Sequence, residues 1–492
     1  MPEPVPARRV VAVAAAAAAV LAVLAGALLG PDRLRLGPQT SGDPALAEQV
    51  RAVAGHRDGL RALAVAEVTP GSVRTAGLGP AGPGGGAPGP GDRFEIGSLT
   101  KTFTAALFAD ALTRGEVTAE DRLDRHLPEL AGTPAGGVTL GSLARHRSGL
   151  PGLGPTAAGR ALAVTLLRGD PYATTTTARL LDDAREVAVD PGQGSVYSNF
   201  GVALLGTALV RATGAPDLPA LVRDRVTGPL AMTATTFAPT AADVPDQALT
   251  GYREDGRPAV RWSGEGYLPA GTSTFSTIGD TARWAQAQLT GAAPGTAALD
   301  PAVPDGPDRS IGWIWITDRT TGPDGAVRTH TWHNGGTAGF SSMLAIDRAQ
   351  QRAVVVLGTT AVGVERVATA LLHGTGVPDG GAGVGAWAVL GIAALFSLLA
   401  LHRAVRSAAL LPMADGLLTA LFGLVLLWNR GPWASVGGWA WGLAAAPVAA
   451  ALVVALLRAR GLPLRPAGRG PVVAWSGPVV TGALVVAALV AG

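Results

Sequence analysis

The chain contains no cysteine. Disulfides, thiolate metal sites, a lipid-modified N-terminal cysteine and a thiol nucleophile are thereby excluded. The fold must be held by burial, which a domain of this size can achieve. Lysine is nearly missing too: of 39 Lys and Arg residues 38 are Arg, and the one Lys is Lys101. Charged residues fill only 15% of 492 positions against 48% hydrophobic ones, too apolar a balance for a chain wholly in water. The net charge of +3 is unevenly spread: residues 1–36 carry +2, residues from 383 onward +6, and the stretch between −5. The basic excess sits beside apolar segments, where it orients membrane spans. An acidic middle argues against nucleic acid as a partner.

Arg8-Arg9 precede an uncharged run from Val10 to Gly30. It is long enough to cross a bilayer, and it has the basic start and apolar body of a signal peptide. Ala25-Gly26-Ala27 is a candidate cleavage site, so a removed signal and a retained anchor both fit residues 1–36. Four more apolar runs close the chain: Ala382–Leu401, Ala408–Trp428, Gly431–Leu457 and Gly470–Gly492. Each reaches the roughly 20 residues of a spanning helix. Arg403 and Arg406 follow the first run, and four Arg fill Arg458–Arg469. Placing these loops in the cytoplasm leaves residues 37–380 and the C-terminus outside. Asp415, inside the second run, is either a functional intramembrane acid or a partner for a nearby Arg.

Residues 40–375, between the N-terminal segment and a membrane region over 376–492, read as mixed α and β. Helices are expected at Ala45–Ala54, Thr102–Leu112 and Ser198–Thr213, the last stopped by Gly214. Strands are expected at Leu60–Val68 and Ser72–Leu78 around the Pro70-Gly71 turn, and at Ser342–Ile346 and Ala353–Gly358. Gly79–Gly91 is a Gly/Pro-rich loop, and Gly374–Gly383 links to the apolar region.

The lone lysine calls for a chemical explanation. Arg stays protonated at physiological pH, whereas a desolvated Lys can become a neutral base. Ser98 stands three residues earlier, in Phe94-Glu95-Ile96-Gly97-Ser98-Leu99-Thr100-Lys101. On a helix beginning near Ser98 this spacing puts both on one face, with the amine in reach of the Ser proton. The Ser98 N–H would then face a developing oxyanion. By itself Ser-x-x-Lys also fits an N-cap Ser with a surface Lys. Tyr197-Ser198-Asn199 precedes another helix; a phenol beside an ammonium has a lowered pKa and can relay protons, and Asn can bind a substrate amide. A capping Asn with a core Tyr is the plainer alternative. Third comes Trp332-His333-Asn334-Gly335-Gly336-Thr337, where glycines let a ligand approach the backbone. Gly336 N–H is a candidate second oxyanion donor, and His333 can donate to substrate or to Tyr197. A metal site from His330 and His333 lacks a carboxylate pair or Cys to complete it.

In this order Ser-x-x-Lys, Tyr-x-Asn and His-x-Gly resemble the serine β-lactamase and penicillin-recognising superfamily, within it the class C-like branch that also holds D-amino peptidases and esterases. Leu143–Pro151, Gly228–Met232 and Ser273–Trp284 resemble that branch too, and the likeness covers roughly residues 40–375. It implies an α+β fold, with an antiparallel sheet flanked by helices and a helical lobe inserted after the Ser helix. By position it implies Ser98 as acylated nucleophile, Lys101 as base, Tyr197 as proton relay and His333 in the final motif. Asn199, Asn334, Gly335 and Gly336 are implied on the substrate side. His333 stands where true class C β-lactamases carry Lys, and Asn334 replaces a frequent Thr or Ser. Both changes weaken the case for potent β-lactam hydrolysis, and the Tyr motif argues against a class A enzyme.

The expectation is an extracytoplasmic, membrane-anchored serine hydrolase that needs no metal or cofactor. D-alanyl peptides, β-lactams and small esters all fit such machinery, as small-molecule or peptide substrates that include peptidoglycan fragments. A membrane receptor that binds cell-wall fragments without turnover is the alternative, but it gives Lys101 no reason to exist.

Overall fold

The computed structural model describes residues 5–31, 34–54, 59–82, 85–167, 169–300, 303–322, 325–375, 383–433 and 435–464. A nine-stranded antiparallel sheet organises the first body. Its strands are β1 (Thr40–Gly42), β2 (Leu63–Val68), β3 (Val73–Leu78), β4 (Val303–Pro304), β5 (Arg309–Ile311), β6 (Ile316–Thr321), β7 (Val327–Gly336), β8 (Ser341–Asp347) and β9 (Arg352–Gly358). They lie in the order β1-β3-β2-β9-β8-β7-β6-β5-β4. Central strands β2, β8 and β9 are buried along almost their whole length, which explains their near-continuous apolar sequences.

Helices cover both faces. Helix α2 (Pro44–Ala54) and the later Glu365–His373 helix bury Val50, Ala54, Val367 and Leu372 against one face. On the other lie α3 (Lys101–Thr113), α4 (Asn199–Thr213) and α5 (Ile278–Thr290), joined in the larger core through Phe103, Leu205 and Trp284. The Glu365–His373 helix is α6. Most of the chain between α3 and α5 is helix and loop, the lobe expected from the resemblance. A three-stranded sheet of Phe94–Glu95, Thr274–Ser276 and Thr236–Phe237 clamps the segment leading into α3.

Three long helices follow: α7 (Val384–Arg406), α8 (Leu410–Arg430) and α9 (Trp439–Ala459). With α1 (Val5–Leu29) they form a bundle, and four helices among the described residues are long and apolar enough to cross a membrane. The fourth C-terminal run expected at Gly470–Gly492 lies outside the described residues. Asp415 pairs with Arg403 at 2.6 Å, so the acid inside α8 is matched by a charge on α7. Antiparallel α1 and α9 touch through glycines: a Cβ on Gly26 would sit 2.4 Å from the Gly442 Cα, and one on Gly30 2.7 Å from the Gly438 Cα. Both pairs are four residues apart, the small-x-x-x-small spacing that lets helix backbones meet. The bundle meets the sheet body where the Arg257 guanidinium lies 4.5 Å over the Trp428 ring, near the end of α8.

Candidate active site

Ser98 lies in a 3-10 turn over Gly97–Thr100, and Lys101 opens α3. The turn keeps the i,i+3 juxtaposition: Lys101 Nζ is 2.7 Å from Ser98 Oγ and 2.5 Å from the Ala270 carbonyl. Lys101 is fully buried, and desolvation pushes its pKa well below that of a free lysine. The surface-Lys alternative is excluded by this burial.

Close backbone approach explains the glycines here. Gly97 has φ +54°, and a Cβ on it would lie 2.8 Å from the Gly336 nitrogen. A Cβ on Gly335 would collide with the Ile96 carbonyl at 2.1 Å, and one on Gly271 (φ +106°) with the Gly97 carbonyl at 2.2 Å. Only glycine lets β7 and the 270–272 loop press on the Ser98 turn from two sides. Strand β7 pairs with β6 as far as Trp332↔Ile316. Beyond Trp332, no described strand covers that edge, so the His333–Gly336 backbone is open beside Ser98.

Tyr197 reaches the same point from the start of α4. Ser198 caps that helix, accepting from the Gly201 N–H at 2.8 Å, which leaves Asn199 free for the cleft. Asn199 Nδ2 donates to the Tyr172 hydroxyl at 3.1 Å, and both residues line the cleft. Tyr197 lines the cleft together with Ser98, and Lys101 Nζ lies 5.0 Å from its ring centroid. The expected lowering of the Tyr197 pKa is not found. Desolvation of the phenol group raises it instead, although 43% of the residue's surface is exposed.

His333 faces the Ser98 side of the sheet, fully buried, its ring centroid 6.4 Å from that of Tyr197. Its Nδ1 is 2.6 Å from the Asn334 carbonyl, which can only accept, so Nδ1 carries the proton and Nε2 is an acceptor. The expected donation from His333 to substrate or Tyr197 gives way to an accepting role in this tautomer. Desolvation lowers its pKa to about 3, keeping the ring neutral. Asn334 alternates to the opposite face, where Nδ2 donates to Glu365 Oε1 on α6 at 2.7 Å. Its side chain thus serves α6, and its place in the cleft wall falls to the strand it stands on. His330 faces away from His333, 3.2 Å from His373, and no metal-binding cluster occurs among the described residues.

Several residues at the site carried no sequence signal. His146, left-handed at φ +55°, stacks on Tyr197 at 4.6 Å and accepts the Ser198 N–H on Nδ1 at 3.2 Å. It sits inside Leu143–Pro151, whose likeness to relatives was its only trace. Tyr172 and Trp262 come from irregular loops, and the Ala270 carbonyl from the end of a 3-10 helix over Glu265–Ala270. Glu95, three residues before Ser98, is buried and accepts from Trp262 N at 3.3 Å and Thr337 Oγ1 at 3.1 Å. The resulting cleft has a volume of about 400 Å³ with Ser98 in its lining. A buried amine beside a hydroxyl, two backbone N–H groups at Ser98 and Gly336, and a phenol lining the same cleft can together support attack on a carbonyl.

Comparison with known proteins agrees with this chemistry. The Beta-lactamase family model matches residues 47–374. A Beta-lactamase of Escherichia coli (strain K12) is 32% identical over 196 residues, covering 40% of this chain and 48% of that one. The D-alanyl-D-alanine-carboxypeptidase/endopeptidase AmpH of the same strain is 33% identical over 202 residues, again 40% and 48%. This chain thus spans about half the length of these curated relatives. Among solved structures, a class C beta-lactamase superposes with a TM-score of 0.56 at 18% identity, covering 67% of this chain and 96% of its own. The D-alanine carboxypeptidase AmpC from Burkholderia cenocepacia gives 0.53 at 25% identity, covering 67% and 99%. With the sheet order, the Ser98–Lys101 pair and a family match over most of the chain in agreement, the protein belongs to the beta-lactamase family and is a serine hydrolase.

Proposed function

We propose that this chain is a membrane-anchored hydrolase, its catalytic body outside the cytoplasm, that opens amide or ester carbonyls through an acyl-Ser98 intermediate. The observation that carries the proposal is the 2.7 Å contact between Ser98 Oγ and a fully buried, charge-disfavoured Lys101 Nζ. In this scheme the neutral amine takes the Ser98 proton as Oγ bonds to the carbonyl carbon. The Ser98 and Gly336 N–H groups hold the oxyanion. Tyr197, its phenol pKa raised by desolvation, passes its proton to the leaving group as the tetrahedral adduct collapses, and is reprotonated from Lys101. Water then attacks the acyl ester by the reverse sequence. His333 accepts through Nε2, Asn199 binds the substrate's amide side, and the backbone of Gly335 and Gly336 supports the acyl group. D-alanyl peptides, peptidoglycan fragments, β-lactams and small esters are the substrate classes such a centre can serve.

Anchoring is supported by four apolar helices, with Arg403, Arg406 and Arg458 at one end and the sheet body touching the other. The test of the reaction is covalent labelling with an alkyl fluorophosphonate. Wild type should gain one adduct on Ser98, and Ser98→Ala none. Equal labelling of both forms overturns the acyl-serine assignment.

A further inference from the structure

β-Lactams and peptides ending in D-alanine share one feature besides the scissile amide: a free carboxylate close to it. A cleft that receives them must supply positive charge, because an unpaired carboxylate taken out of water costs several kcal/mol. The two basic residues beside Ser98 are Lys101 and His333; burial keeps the His333 ring neutral and disfavours the ammonium form of Lys101. Both also have polar partners: Lys101 meets Ser98 and Ala270, and His333 spends its N–H on the Asn334 carbonyl.

The surroundings tilt the same way. Four lining residues each donate a hydrogen bond to a carboxyl group. Trp332 Nε1 reaches Asp318 Oδ2 at 2.9 Å, Asn334 Nδ2 reaches Glu365 Oε1 at 2.7 Å, Trp262 N reaches Glu95 Oε1 at 3.3 Å, and Tyr172 N reaches Asp170 Oδ1 at 2.8 Å. Arg309, stacked 5.7 Å from the Trp332 ring, is held by Asp318 through bonds of 2.7 and 3.0 Å. Among the described residues lining the cleft, none is charged. What they offer instead is aromatic surface, with Tyr172 edge-to-face on Trp262 at 5.4 Å.

We propose that the Ser98 cleft selects neutral acyl donors, esters and amides without a carboxylate beside the scissile bond, and discriminates against D-alanyl-carboxylate peptides and β-lactams. This rests on the acyl-serine reading and narrows its substrate class.

The experiment compares two esters that differ only in charge: methyl 3-(butanoyloxy)benzoate and the free acid 3-(butanoyloxy)benzoate. In the second a carboxylate rides on the leaving group, as in a C-terminal peptide. The rate of Ser98 butanoylation is read by mass spectrometry on full-length solubilised protein, with fluorophosphonate labelling in parallel. The methyl ester should acylate Ser98 at least ~100-fold faster. Asp318→Asn, which loosens the hold on Arg309, should narrow that gap about tenfold. Equal rates, a faster free acid, or a Ser98 that takes fluorophosphonate but neither ester overturn the selectivity while leaving the acyl-serine centre standing. If Ser98 takes none of the three reagents, the acyl-serine reading falls, and the selectivity with it.

Discussion

Lys101 and Glu95 are both buried and titratable, and burial moves their pKa values in opposite directions. For Lys101 the consequence is catalytic. Lys101→Arg keeps a positive charge but brings a group that stays protonated and a planar fork in place of a slim amine. Acylation by a neutral ester should fall at least ~100-fold in that variant, approaching the loss in Ser98→Ala. In wild type the rate should drop as pH falls through the lowered Lys101 pKa, because the ammonium cannot accept a proton. A loss below about tenfold in Lys101→Arg would mean that charge alone suffices. For Glu95 the consequence is stability. Burial pushes its carboxyl up to about 7 from the ordinary 4.5. Between those values the folded chain keeps a proton that the unfolded chain has released. The contribution is therefore full below about pH 4.5 and is lost as pH rises through 7. It amounts to about 3 kcal/mol. Unfolding midpoints of wild type should decline more steeply from pH 5 to 8 than those of Glu95→Gln, and equal slopes would refute the assignment.

Elements differ in how far their own sequence announces them. Helix α4 was legible nearly to the residue, since Ser198 and Gly214 cap it by local chemistry. Ser98 and Lys101 were legible because their meeting needs only one helical turn. The 3-10 start of α3 was not, because it depends on Gly97 and Gly271 packing against distant backbone. Tyr172, Trp262 and Ala270 were silent for the same reason: what brings them to Ser98 is tertiary packing of distant segments. The α1–α9 contact was hidden differently. Gly26-x-x-x-Gly30 and Gly438-x-x-x-Gly442 both stand in the sequence, but nothing local says that they face each other. At Gly442 even a Cβ would approach the Ala22 and Val23 carbonyls to 2.8 Å. Gly442→Leu should therefore push α1 off α9 and destabilise the bundle by about 1–3 kcal/mol. Thermal unfolding of the detergent-solubilised protein, with protease sensitivity of α1, reads this out. An unchanged transition would show that the glycine contact contributes nothing.

For the whole molecule, the sheet body is attached to the helical bundle from both sides in sequence. Residues after α1 join it directly: the Gly59 N–H bonds to the Leu34 carbonyl at 2.8 Å, Arg51 to the Gly37 carbonyl at 3.1 Å, and β1 pairs with β3. The Arg257–Trp428 stack adds a third point. The Arg distribution predicts that alkaline phosphatase fused after residue 375 is active and that a fluorescent protein within residues 458–469 is bright. A silent phosphatase with export intact would reverse the orientation. Retention of α1 makes a separate prediction: intact mass of the membrane-extracted protein should include residues 1–30, whereas cleavage after Ala27 would remove most of the helix that α9 grips. The glycine seam also has a meaning in time. Helix α1 is made before the catalytic body, and its partner in α9 leaves the ribosome roughly 400 residues later, on the order of 20–80 s at ordinary synthesis rates. Throughout that interval the grooved face of α1 lacks its α9 mate, and the α1–α9 seam can close only after the catalytic body has been made, so α9 acts as the latch for α1.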